Sequence, residues 1–337
     1  MQDAEQTWRV GVIGAGKHGS RYARHLAQDV NGLGLAAISR RSEQGRLLAE
    51  TLSCRWHADW RQLVADPGVE CVVAALPPVL NLEVALACAH AGKPLLLEKP
   101  MAVSVREAEQ IRDAFDAHKV TLTIGQTLRY NRVIRMLRRQ LADIAPLASF
   151  TVNQRLEPAT LSWLDDPSSA GAGVSFHSAV HVFDALRFIT GHEIVRVLAR
   201  TRCVHSTLLE DHLLALVEMD NGVIGSVDCS KIGAARTGRF EFIGNGGQLQ
   251  GDQVHHVGEL IRGQQRTPLD PGEPVSTLVP LLEDWRDFLR GRQANPISPQ
   301  EGLATVRVCE ACLRSAATGG WEAVYPHREP PCKAAPG

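Results

Sequence analysis

An apolar run over residues 10–13 leads without a break into Gly14-Ala15-Gly16-Lys17-His18-Gly19, a complete G-x-G-x-x-G. A strand that stops at such a turn and opens a helix forms a cradle for the pyrophosphate of a dinucleotide. Gly14 takes the tight turn, Gly16 leaves the phosphates access to the backbone, and Gly19 lets the new helix close on the sheet. The first N–H groups of that helix, and its dipole, then face the anion. Glycine-rich turns are common, so the meaning of this one depends on the rest of the chain.

Beyond the turn, apolar runs alternate with amphipathic stretches. A helix to about Gln28 precedes a strand over 34–39, a helix over 42–52 and an uninterrupted apolar strand over 71–76. A helix over 78–91 ends at Gly92. Next come a strand over 95–97, a helix over 103–118 and a strand over 120–124. Continuous apolar strands between helices predict a doubly wound parallel sheet covered on both faces, over residues 1–126. Past residue 126 the pattern changes. A helix near 131–141, a strand over 147–155, a loop rich in Pro, Ser and Gly over 158–173 and a helix over 174–189 lead into longer strands over 195–205, 213–219 and 223–231. The last two are joined by Asp220-Asn221-Gly222, a hairpin signal. Strands over 239–243 and 248–250 and helices over 277–290 and 299–318 complete an expected α+β domain on a large, mostly antiparallel sheet, over residues 127–337.

The 36 basic and 37 acidic residues leave no net field for nucleic acid or an anionic membrane. No apolar run is long enough to span a bilayer, so a soluble, cytoplasmic protein is expected. The eight cysteines suggest no disulfide framework. Cys71 and Cys88 lie in apolar segments as small core residues. Cys309 and Cys312 form a C-x-x-C inside a helical pattern with no second pair nearby; they read as packing residues, and no metal site is expected.

Glu98-Lys99-Pro100 places a charged pair at the C-terminal end of a buried parallel strand, the edge at which open α/β sheets bind ligands. The glycine turn, Asp59-x-x-x-Leu63, Pro77-Pro78, Ala91-Gly92-Lys93, Glu98-Lys99-Pro100, the helix around His181-Val182-Phe183-Asp184 and the closing helix from Glu310-Ala311 to Ser315 occur in this order. With them, from about Arg9 to Trp321, the chain resembles the Gfo/Idh/MocA family of NAD(P)-dependent oxidoreductases. The resemblance implies an enzyme that interconverts a secondary alcohol and a ketone on a sugar, polyol or related small molecule. Lys99 would sit by the nicotinamide and hydrogen-bond the reacting oxygen, and His181 would serve as general acid/base.

The chain departs from the family pattern at His177, where relatives commonly carry an aspartate. His177 and His181 stand at i, i+4 on one helical face, with Asp184 on the neighbouring turn. A carboxylate there would raise the pKa of His181, whereas a second imidazole would lower it, so His177 counts as a third catalytic candidate. His-x-x-x-His is also a metal-ligand spacing, and two histidines that only line or pack the cleft are a further reading. Asn81 stands where relatives often carry a histidine.

Cofactor contacts are expected from Gly14, Gly16, Lys17, His18, Gly19, Ser39, Arg40, Arg41, Leu76, Pro77, Asn81, Glu98 and Lys99. Substrate contacts are expected from Arg129, Tyr130, Trp163 and Asp184. The second strand ends in Ser39-Arg40-Arg41, with no carboxylate to hold a ribose diol or repel a 2′-phosphate; two guanidinium groups favour NADP(H) over NAD(H). A homodimer or homotetramer is expected to cover the second domain's sheet. Two other functions fit less of the chain: a lyase or hydrolase that oxidises its substrate transiently with a tightly bound nicotinamide, and a non-catalytic NADP(H)-binding regulator. Retention of Lys99 and His181 argues against the regulator.

Overall fold

The computed structural model describes residues 7–158 and 162–325. These form two compact units. One is built from the described residues up to Tyr130 together with Ser276–Ala304, the other from Asn131–Val275 and from Thr305 onward.

The first unit runs β1 (Trp8–Ile13), α1 (Gly19–Gln28), β2 (Leu33–Ser39), α2 (Glu43–Thr51), β3 (Arg55–His57), α3 (Trp60–Ala65), β4 (Cys71–Ala74), α4 (Asn81–His90), β5 (Leu95–Glu98), α5 (Val105–His118) and β6 (Leu122–Gly125). All six strands are parallel, in the order β3-β2-β1-β4-β5-β6. The strand order therefore reverses between β1 and β4, the switch point where such sheets take ligands. Val10, Val12, Val72, Val73, Leu95, Leu96 and Leu97 are fully buried, which is why these strands read as unbroken apolar runs. The doubly wound expectation holds.

Two elements were not legible. β3 is three residues, Arg-Trp-His, too short and too mixed to show a period. α3 comes after it with Asp59 as cap, its carboxylate accepting the Arg61 N–H at 3.0 Å. Residues 276–304 protect the outer edge of β6. The Ile124 N–H donates to the Ile297 carbonyl at 3.0 Å, and Asn295 Nδ2 donates to the Leu122 carbonyl at 2.7 Å. An edge strand that would otherwise present open backbone groups is thereby covered.

The second unit contains α6 (Arg132–Gln140), β7 (Leu147–Arg155), α7 (Pro167–Ala170), α8 (Val180–Thr190), β8 (Ile194–Arg202), β9 (His212–Met219), β10 (Ile224–Ser230), β11 (Thr237–Gly244), β12 (Gly247–Asp252), β13 (Val257–Arg262) and β14 (Gln265–Leu269). α9 (Leu278–Leu289) lies in the first unit; α10 (Pro299–Thr318) and β15 (Glu322–Ala323) come after it in the chain. The nine strands lie in the order β14-β13-β12-β11-β7-β10-β9-β8-β15. Only β7 and β10 pair in parallel, so the sheet is mixed and mostly antiparallel, as expected.

β9 shows the two faces of this sheet. Leu213, Ala215, Val217 and Met219 are buried, whereas Leu214 and Leu216 are 50% and 44% exposed. The expected hairpin closes with the Met219 N–H on the Val223 carbonyl at 2.9 Å. β13 and β14 carry charged and exposed residues and a proline, so no alternation announced them. The helix expected over 174–189 has a different start: Ser175–Ala179 is a π-helical turn, and α8 proper begins at Val180. No helix of the described residues is long and apolar enough to cross a membrane.

Candidate functional site

β1 ends at the glycine turn, and β2 pins it: the N–H groups of Gly14 and Ala15 both donate to the Ser39 carbonyl at 3.1 Å. Gly14 sits at φ +82°, and a Cβ there would lie 2.3 Å from the Ala75 carbonyl oxygen. At Gly19 a Cβ would lie 2.2 Å from the Gly14 carbonyl oxygen, so α1 packs on the turn only because that position is bare. A Cβ at Gly16 would meet nothing nearer than the Gly14 carbonyl oxygen, 4.0 Å away. The turn is closed on its protein side and open at Gly16, which is the shape a dinucleotide pyrophosphate needs. Lys17 and His18 are exposed on it.

Several expected residues gather around this turn. Leu76, in the segment after β4, lies against Gly14, and Pro77 is next in the chain. Ser39 is buried. Arg40 folds back, its Nη1 donating to the Ala15 carbonyl at 3.3 Å while Nη2 meets Gln44. Arg41 is exposed to solvent. Asn81, buried at the start of α4, donates from Nδ2 to the Pro100 carbonyl at 2.8 Å and so braces the segment after Lys99.

The strongest polar feature is Glu98, the last residue of β5 and 6% exposed. Its Oε1 accepts from the buried Tyr22 hydroxyl at 2.5 Å and pairs with His18 Nε2 at 2.9 Å. Its Oε2 accepts the Lys99 N–H at 3.2 Å. The His18 and Tyr22 rings meet edge to face, 5.4 Å apart. Burial alone would push the Glu98 carboxyl up. The His18 hydrogen bond and charge, Lys99 and the Tyr22 hydrogen bond outweigh it and hold the group below its ordinary range. Burial, then the Glu98 charge, drives the Tyr22 phenol well above its usual value. One carboxylate thus ties the glycine turn and α1 to the residue before Lys99. Tyr22 was not among the expected residues; its place four residues after His18 on α1 was the available signal.

Arg129 and Tyr130, expected to touch substrate, are engaged within the first unit. Arg129 pairs with Glu301, and the buried Tyr130 hydroxyl donates to Asp284 at 2.7 Å. In the second unit, every residue from Ala172 to Arg187 is buried except two, His177 and His181, which stay partly accessible. Asp184, on the same helix, is fully buried. Because the helix starts as a π-turn, His177 and His181 are not related by a regular α-helical i, i+4 step. The Trp163 side chain lies outside the described residues. On the open face of the large sheet, a shallow cavity of about 480 Å³ lies over Arg239, Asp252, His255, Glu259 and Arg266. None of these was an expected site residue.

A six-stranded Rossmann sheet with this cradle at its switch point defines a dinucleotide-binding fold. Residues 8–126 match a family model described as an oxidoreductase family with an NAD-binding Rossmann fold, and residues 143–250 match the GFO/IDH/MocA C-terminal domain. Inositol 2-dehydrogenase 1 of Saccharopolyspora erythraea is 30% identical over 338 residues, covering 93% of this chain and 95% of that protein. The scyllo-inositol 2-dehydrogenase (NAD(+)) of Bacillus subtilis is 24% identical over 283 residues, 79% of this chain and 80% of that one. A solved levoglucosan dehydrogenase, in complex with NADH and levoglucosan, superposes with a TM-score of 0.84 at 22% identity, over 95% of this chain and 100% of that one. The chain belongs to the Gfo/Idh/MocA oxidoreductase family.

The Glu98 cluster makes a pH-dependent prediction. A carboxyl held below its ordinary value of 4.5 stabilises the fold above that pH, and the stabilisation is lost as pH falls through the folded value. Tyr22→Phe removes one group that lowers the Glu98 pKa. It should cost about 1–3 kcal/mol near neutral pH and start the acid loss of Tm at a higher pH than in wild type. Thermal melts between about pH 3 and pH 7 check this; an unchanged acid limb would show that the phenol does not support the carboxylate.

Proposed function

We propose that the protein interconverts a secondary alcohol and a ketone on a cyclic polyol or sugar, using NADP(H). The observation that carries the reading is the closed glycine turn joined through Glu98 to Lys99 at the ligand edge of the parallel sheet. Relatives named as inositol dehydrogenases, and a fold neighbour solved with levoglucosan, support a hydroxylated ring as the substrate class. Residues 1–126 would form the dinucleotide-binding domain and residues 127–337 the substrate and oligomerisation domain, in a cytoplasmic enzyme.

When bound, the dinucleotide supplies the acceptor or donor of hydride. Lys17, His18 and the N–H groups at the start of α1 would hold its phosphates, with Leu76, Pro77 and Asn81 beside them. The Lys99 ammonium polarises the reacting oxygen. His181 accepts the hydroxyl proton on oxidation and returns it on reduction, and its partial exposure in a buried helix supports that assignment. His177, the other partly accessible side chain of that stretch, places an imidazole where relatives commonly carry a carboxylate and is the further catalytic candidate. Asp184, Arg129, Tyr130 and Trp163 are the further candidates for substrate contact.

The reading of a 2′-phosphate site rests on this chain's own residues and not on its relatives. The family model is described as NAD-binding and the levoglucosan dehydrogenase complex holds NADH. Here the Arg40 guanidinium lies beside the glycine turn, with Ser39 before it and no carboxylate at the end of β2. Assembly into a homodimer or homotetramer is supported by Leu214, Leu216, Ile224, Ile243 and Val257, all more than 40% exposed on one face of the nine-stranded sheet.

Lys99→Ala should lower kcat on myo-inositol or levoglucosan by about 10²–10⁴-fold while dinucleotide Kd changes little. Loss of dinucleotide binding in that variant would remove the lysine from the chemical step. Arg40→Ala should weaken NADPH about tenfold and leave NADH nearly unaffected, read by fluorescence titration; equal losses would cancel the 2′-phosphate assignment. Light scattering should give a dimer or tetramer, and Leu216→Arg should shift it toward monomer. A wild-type monomer would contradict the covered face.

A further inference from the structure

The π-helical turn that carries His177 is held from outside its own helix, by Glu210 and by Cys309. Ser175–Ala179 is π-helical because the Val180 N–H reaches back five residues to the Ser175 carbonyl. That carbonyl has a second donor, the Cys309 thiol of α10 at 3.2 Å. The other end of Ser175 is fixed too: its N–H donates to the Glu210 carboxylate at 3.1 Å, and the Val174 N–H donates to the Glu210 carbonyl at 2.7 Å. Cys309 is fully buried, and burial drives its thiol well above the ordinary range, so near neutral pH it keeps the proton it donates. Its C-x-x-C partner Cys312 is likewise buried and pushed up to about 12.

This hydrogen bond acts on geometry. In α-helical bonding, four residues carry the chain slightly past one full turn; in the wider i→i+5 turn they fall short of one. The angle between His177 and His181 therefore depends on which partners the Ser175 carbonyl keeps. Those two are the accessible side chains of an otherwise buried stretch, so a change of angle moves the groups that meet a ligand.

We propose that Cys309 is a positioning residue: its thiol holds the Ser175 carbonyl in the π-turn and so sets the relative orientation of His177 and His181. The inference rests on the reading of His181 as the proton-exchanging group.

Cys309→Val keeps the bulk and loses the donor, whereas Cys309→Ser keeps a donor. Histidine ring NMR of the NADP⁺-loaded protein, titrated with pH, should show the His177 and His181 signals displaced and their titration moved in Cys309→Val, with Cys309→Ser resembling wild type. With myo-inositol as probe, Cys309→Val should lower kcat about tenfold, leave the KM for NADP⁺ unchanged and move the pH profile of kcat. Wild-type histidine titrations in Cys309→Val would overturn the proposal. If Cys309→Val does not fold, Cys309→Ala takes its place with the same expectations. His181→Ala is measured alongside. Wild-type turnover there would overturn the reading of His181 itself, while its loss together with a wild-type pH profile in Cys309→Val would overturn only the role of Cys309.

Discussion

A carboxylate buried at the end of a parallel strand is costly unless every lone pair it presents is answered. Glu98 is answered from both directions, by the Tyr22 hydroxyl and His18 from α1 and by the Lys99 N–H from its own strand. That requirement connects the dinucleotide turn to the lysine edge. α1 must stand where Tyr22 and His18 can reach, which requires Gly19 to be bare against Gly14, and Gly14 in turn to be bare against Ala75. The spacing of the glycines and the Glu-Lys-Pro segment, eighty residues apart between His18 and Glu98, are thus two ends of one cluster.

Much of this was legible in the order of residue types. The parallel sheet announced itself because both its faces are covered, leaving continuous apolar strands such as 95–97. The large sheet announced itself through β9, whose buried and open faces alternate residue by residue. What escaped had physical reasons. β3 is too short to show a period, and β14 is an exposed edge. Residues 276–304 add no strand of their own and bond to β6 through the Ile297 carbonyl and the Asn295 side chain, which composition does not record.

The π-turn escaped for a different reason. Its residues, Ser-Phe-His-Ser-Ala, suit an α-helix, and the wider bonding comes from Glu210 and Cys309, far away in sequence. The sequence located both histidines and the helix that bears them, but their angular relation is a tertiary property. The same holds for Arg40: its charge beside β2 was visible, whereas its return to the Ala15 carbonyl needed the fold. Tyr22, not singled out from the sequence, is a core aromatic of α1 with its polar end spent on Glu98.

The most direct test of an alcohol–ketone oxidoreductase is to follow the hydrogen itself. A ring polyol deuterated at its carbinol carbons, incubated with NADP⁺ and the purified protein, should yield reduced dinucleotide carrying one deuterium, with an equimolar ketone, by mass spectrometry. Deuterium that stays in a cleaved or eliminated product, with no net reduced dinucleotide, would contradict the account and point to chemistry that returns the hydride to its substrate.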